Sequence, residues 1–256
     1  MIYFLSSLPR SGSTLLASLL GQRNDTYVSG TSDLCDSMWS LCLALESYPT
    51  KNKSLRTVLD AQYRGIHSEF IFDKGRRWPV PHIMETVQKI YGKMPKIVAT
   101  VRPMVECIIS FYQIDKSHLP IKEWIKTSPL MKHLVESYNY LSEGYEKYPD
   151  SFCLIEYDNL VDQTQVELNR MSDFIGADRV TFNPNIQQVE DSTKDNEWGL
   201  DGMHTLRTTI ERDTSDPRTV LGLNLYNEYT SWDFWTDTQK YQPWTYGETT
   251  KQFIEA

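Results

Sequence analysis

The residues with the clearest chemical purpose are Leu8-Pro9-Arg10-Ser11-Gly12-Ser13-Thr14, between a short apolar run and a leucine-rich stretch of helical spacing. Backbone N–H groups at the start of a helix, aided by the helix dipole, make a site for an anion. Gly12 lets the backbone approach a phosphate closely, and Ser11, Ser13 and Thr14 add hydroxyl donors. Arg10 adds a permanent charge with a forked set of donors. The plain alternative is a strand-to-helix turn capped by Ser or Thr. One arginine, one glycine and three hydroxyls within five residues favour the anion site. An ATP or GTP loop reads G-x-x-x-x-G-K-[ST]. Here Ser13 stands where that lysine would be, and Ser7 where the first glycine would be. The loop suits a single phosphate better than a polyphosphate with Mg²⁺.

A second cation ends the best strand of the chain. Lys96 to Val101 is rich in β-branched residues and runs into Arg102-Pro103. Two helical turns separate Pro103 from Ser110, so Arg102 and Ser110 can face one phosphate. Alternatively, Arg102 pairs with a carboxylate and Ser110 is a small buried residue. A third segment, Phe72-Asp73-Lys74-Gly75-Arg76-Arg77-Trp78-Pro79, places a lysine just after a strand. Most such segments are solvated charged turns.

Taken together, the three segments resemble the PAPS-dependent sulfotransferases, which use 3′-phosphoadenosine 5′-phosphosulfate (PAPS) as donor. The likeness is to small bacterial and phage-type members and, distantly, to tyrosylprotein sulfotransferases. The resemblance implies that Pro9, Arg10, Ser11, Gly12, Ser13 and Thr14 hold the 5′-phosphosulfate, while Arg102 and Ser110 grip the 3′-phosphate. It implies that Lys74 neutralises the bridging oxygen as it leaves. Trp78 is left open between stacking on adenine and packing in the core. Ile155-Glu156-Tyr157-Asp158-Asn159-Leu160 is similar to a strand end whose tyrosine, here Tyr157, approaches the nucleotide. Trp198-Gly199-Leu200-Asp201-Gly202-Met203-His204 resembles a late loop that closes over the donor or lines the acceptor site. The likeness spans residues 1 to about 210.

An acceptor hydroxyl must also lose its proton, and a general base typically contributes ~10²–10⁴-fold. The resemblance sets Ser32 where tyrosylprotein and heparan types carry a glutamate, with Asp33 one place later. Asp33 is the expected base, with Ser32 and His204 beside the acceptor. Helix capping accounts equally well for Ser32 and Asp33. His67 and His204 are the other candidates for the base.

These residues need a frame. Ile2–Ser6, Tyr27–Ser29, Phe70–Phe72, Lys96–Val101 and Phe152–Glu156 read as strands. Helices are expected from Leu15 to Leu20, through Met38 to Leu45, over 54–69, over Met84–Tyr91, from Pro103 to Phe111 and over Val166–Ile175. The alternation predicts an α/β fold of one domain, a parallel sheet with ligands at the carboxyl ends of its strands. The resemblance makes it a P-loop-like α/β/α sandwich of three layers. Residues 1–182 would form the nucleotide-binding core, and 183–256 a loop-rich, short-helical extension packed on it. Tyr226, Tyr229, Trp232 and Trp235 fit a packed aromatic core, or stacking on a sugar or phenol.

The chain has 256 residues, 40% of them hydrophobic, enough for a sizeable core. Its 26 Lys and Arg against 34 Asp and Glu, net −8, do not suggest a nucleic-acid binder. Cys35, Cys42, Cys107 and Cys153 lack metal-ligand spacing, so no metal is expected; a Cys35–Cys42 disulfide is the alternative to reduced thiols. No apolar run approaches the ~20 residues of a membrane helix. Met1–Leu5 is too short for a signal peptide, which points to a cytoplasmic protein. The acceptor stays open among small-molecule, carbohydrate and peptide classes, and oligomeric state is not legible. Competing readings are a nucleotide or small-molecule kinase on a degenerate P-loop, and an inactive PAPS-binding protein.

Overall fold

The computed structural model describes residues 2–186, 210 and 216–236. Five strands make one sheet: β1 (Ile2–Leu5), β2 (Thr26–Thr31), β3 (Phe70–Lys74), β4 (Ile97–Val101) and β5 (Phe152–Glu156). All pair in parallel, in the order β2-β3-β1-β4-β5. Between the strands run α1 (Ser13–Leu20), α2 (Leu34–Ala44), α3 (Lys51–Gln62), α4 (Pro81–Tyr91), α5 (Met104–Asp115), α6 (Ile121–Thr127) and α7 (Pro129–Lys147). After β5 come α8 (Tyr157–Asp162), α9 (Thr164–Ile175) and α10 (Pro217–Tyr229).

Side chains of a strand alternate between faces, so a sheet buried on both sides must be apolar on both. Phe4, Ile71, Ile97, Ala99, Val101 and Phe152 face a core shared with α2–α5, α7 and α10. Tyr3, Leu5, Phe70, Phe72, Val98 and Ile155 face the opposite core, with α1 and α9. The result is the three-layer α/β/α arrangement expected from sequence. The aromatic rings of the described C-terminal segment join the first core: Trp232 lies 4.9 Å from Tyr138 and 5.5 Å from Tyr229.

Several boundaries differ from expectation. The helix expected over 54–69 is α3, ending at Gln62. Its chain then turns through Gly65, whose φ of 90° is incompatible with continuing the helix. Pro103 caps α5 rather than opening it, with ψ at 131°. No element is expected from sequence between Phe111 and Phe152, yet α6 and α7 fill that stretch. Cys35, Cys42, Cys107 and Cys153 are all buried and free, with no disulfide between the first pair in this structure. Among the described residues no helix is long and apolar enough to cross a membrane, and no group of three or more His, Cys, Asp or Glu could hold a metal ion.

Candidate active site

Parallel strands deliver the turns that follow them to one edge of the sheet. From the strand order, that edge carries Ser32 after β2, Lys74 ending β3, the 6–12 loop after β1, Arg102 after β4 and Tyr157 after β5. The sequence-predicted residues therefore lie side by side in an order unlike their order in the chain.

The loop after β1 is braced from three sides. Ser7 Oγ accepts from Thr100 N–H at 2.9 Å, and Ser11 Oγ lies 2.7 Å from Thr100 Oγ1. Ser11 Oγ also donates towards the Leu8 carbonyl, at 2.6 Å, or that of Thr100, at 2.8 Å. Ser11 is fully buried, so its hydroxyl braces the loop instead of lining its open side. On the β3 side, Ser6 Oγ donates to the Arg76 carbonyl at 3.2 Å and Arg76 Nη1 to the Ser7 carbonyl at 3.3 Å. Gly12 takes φ 91°, and a Cβ there would meet Tyr157 Cδ2 at 2.7 Å. Helix α1 starts with no side-chain cap and no acidic residue in its first turn. Its first N–H groups, with Ser13 and Thr14 partly exposed, form a positive end open to an anion.

Arg10 and Arg102 meet across this loop. Arg10 Nε donates to Ser110 Oγ at 3.0 Å, and Arg102 Nη1 donates to the Arg10 carbonyl at 3.3 Å. Ser110 thus joins Arg10, not Arg102 as expected from sequence. Arg102, 7% exposed, also donates from Nε to Glu106 Oε2 at 2.7 Å, and its guanidinium lies 4.3 Å from the centre of the Tyr157 ring. The carboxylate pairing weighed from sequence is real and coexists with the loop contact. Burial alone would lower the Arg102 pKa, but Cys107, Glu106 and Tyr157 outweigh it, so the group stays cationic. Glu106 was missed from sequence, although a carboxylate four residues after an arginine on a helix is a readable signal.

On the other flank, Lys74 is partly buried and locked through its backbone. Its N–H donates to Ser29 Oγ at 2.9 Å, and its carbonyl accepts from Ser32 N–H at 3.0 Å. Asp73 is 0% exposed and accepts from Tyr63 Oη, from Trp78 Nε1 at 2.7 Å and from Ser32 Oγ at 2.8 Å. Burial raises its carboxyl pKa, and the Tyr63, Ser32 and Trp78 hydrogen bonds offset part of that. Trp78 is 1% exposed with its ring centre 4.1 Å from that of Phe4, so it packs in the core and does not await adenine.

Asp33 is exposed at the start of α2 and makes no capping bond; it lines a shallow groove with Asp36, Ser37, Ser40 and Leu41. Ser32 is the residue that caps, accepting from Leu34 N–H at 3.1 Å. His67 is exposed and precedes β3, so it lies at the opposite edge of the sheet, roughly 16 Å of strand away at ~3.3 Å per residue. That position removes it as a candidate base. His204 and the loop 198–204 lie outside the described residues.

A parallel sheet flanked by helices on both faces, with an uncapped helix start and arginines at its carboxyl edge, is an α/β arrangement suited to an anionic ligand at the ends of its strands. The model of the Sulfotransferase family matches residues 3–181, and the chain belongs to that family. Among solved structures, a sulfotransferase from Alicyclobacillus acidocaldarius is 14% identical, with 77% of this chain and 88% of that one covered at a TM-score of 0.50. The sulfotransferase domain from the curacin biosynthetic pathway is 16% identical over 100% of this chain and 96% of that one, with a TM-score of 0.49. Mouse sulfotransferase SULT7A1, solved in complex with PAP, is 13% identical over 98% and 88%, with a TM-score of 0.48. No curated protein is matched by sequence. The P-loop-like fold is that of the family, and the chain is a sulfotransferase. Neither the kinase nor the inactive-binder reading is favoured.

Proposed function

We propose that this sulfotransferase moves the sulfuryl group of PAPS to a hydroxyl or amine of a small-molecule, carbohydrate or peptide acceptor, by in-line displacement. Residues 1–182 supply the nucleotide site, and the described segment 217–236 packs on that core. The observation that carries this reading is the Arg102–Arg10 hydrogen bond, which puts two cations distant in sequence on one loop at the start of an uncapped helix. A ribose bearing phosphates on its 3′ and 5′ oxygens suits that arrangement, one anion on the first turn of α1 and the other beside Arg102.

Sulfuryl transfer, like phosphoryl transfer, makes its demands mainly on positioning and on charge stabilisation. Negative charge grows on the 5′-phosphate side as the sulfuryl group departs. Arg10, the N–H groups of Gly12, Ser13 and Thr14, and Lys74 are the groups that stabilise it. Pro9 fixes the entry to the loop, and Tyr157 supports both Gly12 and Arg102. Arg102 binds farther from the reacting sulfur and serves affinity, while Ser110 steadies the Arg10 guanidinium. The test is turnover with radiolabelled PAPS over a panel of alcohols, phenols, sugars and amines. Lys74→Ala and Arg10→Ala should each lower kcat by ~10²-fold or more, the loss of one transition-state donor. Wild-type rates in both variants would overturn the assigned roles.

A further inference from the structure

The transfer step needs a destination for the acceptor's proton, and the expected base is poorly placed to receive it. Asp33 is exposed on α2 and faces a groove formed by that helix's own residues. Ser32 is nearer the reaction. It is partly buried, its backbone N–H bonds the Lys74 carbonyl at 3.0 Å, and it sits on the flank of Lys74 away from Arg102. An acceptor on that flank would meet Ser32 on the side of Lys74 opposite Arg102.

The direction of the Ser32 hydroxyl proton follows from its partners. Its oxygen already accepts from Leu34 N–H at 3.1 Å, so its single proton is the one given to Asp73 Oδ2 at 2.8 Å. Tyr63 also lies within hydrogen-bonding reach of Ser32 Oγ, but it gives its own proton to Asp73, so a second lone pair on Ser32 Oγ can still accept from an acceptor hydroxyl. Behind it, Asp73 is fully buried, and its three partners, Tyr63, Trp78 and Ser32, are neutral donors. No cation shares its charge through these bonds. Burial also lifts its pKa, making it a better proton acceptor than an ordinary surface carboxylate.

We propose that Ser32 and Asp73 form a proton relay, with Ser32 Oγ touching the acceptor and Asp73 receiving the proton. The acceptor oxygen forms a bond to sulfur while the bond from sulfur to the 5′-phosphate oxygen breaks and its electron pair leaves with that oxygen. The acceptor's proton passes to Ser32 Oγ as the hydroxyl proton of Ser32 passes to Asp73 Oδ2. Asp73 ends neutral and returns the proton to solvent through Ser32 once product has left. Asp73 acts through Ser32 and is the positioning and proton-storing partner; Ser32 is the catalytic contact. This inference rests on the sulfotransferase reading of the same site.

The test compares two acceptors that differ in their need for a base. Phenol titrates near the tyrosine value of about 10 and keeps its proton at mildly alkaline pH, whereas 4-nitrophenol is largely ionised there and has no proton to give. Ser32→Ala and Asp73→Asn should lower kcat toward phenol by ~10²-fold or more, while kcat toward 4-nitrophenolate falls by less than about tenfold. Ser32→Thr, which keeps the hydroxyl, should restore most of the phenol rate. A variant that merely disturbed the fold would slow both acceptors alike, so equal losses overturn the relay. A selective loss in Asp33→Asn with Ser32→Ala unaffected also overturns it, in favour of direct abstraction by Asp33. Should Asp73→Asn fail to fold, the Ser32 pair decides alone. Wild-type protein that sulfates a sugar or an amine but no phenol carries the comparison to that acceptor, where a rate left unchanged by Ser32→Ala overturns the relay. Failure to bind adenosine 3′,5′-bisphosphate overturns the functional reading beneath it instead.

Discussion

Arg10 holds φ at 65°, a left-handed conformation that costs a non-glycine residue ~1–3 kcal/mol. The sequence makes the arginine and its loop legible, but not that backbone, which turns the Arg10 carbonyl to Arg102 and the guanidinium to Ser110. Nor does any local pattern announce the pairing of Tyr63 with Asp73, since ten positions separate the end of α3 from this residue of β3. His133 is another residue whose state depends on the fold. Burial first, then Arg76 and Arg77, lower its pKa to about 3. The unfolded chain takes that proton near pH 6.5 and the folded chain does not, so the unfolded state binds more protons between those values. His133 therefore costs no stability above about pH 6.5 and destabilises the fold progressively as pH falls towards 3. Urea unfolding at about pH 7 and about pH 4.5 should show a larger acid loss in the wild type than in His133→Gln. Equal losses would contradict the burial of this imidazole beside two arginines.

At the scale of elements, all five strands and the helices α1 to α5 and α9 were legible, because their periodicities of 2 and 3.6 were clean. Helix α7 was missed although its signal is present: Met131, Leu134, Val135, Tyr138 and Leu141 recur at helical spacing and are all buried. What sequence cannot show is how closely α7 lies on the segment linking β3 to α4. A Cβ on Gly144 would stand 2.2 Å from the Pro79 carbonyl oxygen and 3.0 Å from Phe152 Cζ. Alanine is ordinarily worth about 1 kcal/mol over glycine in a helix interior. Here the obstacle is backbone, which yields little, so overpacking outweighs propensity. Gly144→Ala should destabilise the protein by ~1–3 kcal/mol in thermal or urea unfolding. An unchanged or raised stability would contradict the close packing of α7 against this segment, which carries Lys74 at its start.

Over the whole molecule, the order of the strands turns a linear list of candidates into a line of neighbours. Ser32, Lys74, the 6–12 loop, Arg102 and Tyr157 come from five regions of the chain and share one edge of the sheet. The loops proposed to hold the phosphates could be picked out early because each depends on a short run of residues. The proton's route could not, because it depends on β2, β3 and the segments around Tyr63 and Trp78 meeting in space. The most direct test of a shared nucleotide site is calorimetric titration of adenosine 3′,5′-bisphosphate into the wild type, Arg10→Ala and Arg102→Ala. Binding at about micromolar strength or tighter is expected, weakened ~10-fold or more by either substitution, a difference of ~1.4 kcal/mol. Absence of binding, or affinities that ignore both substitutions, would contradict the assignment of these two arginines to one ligand.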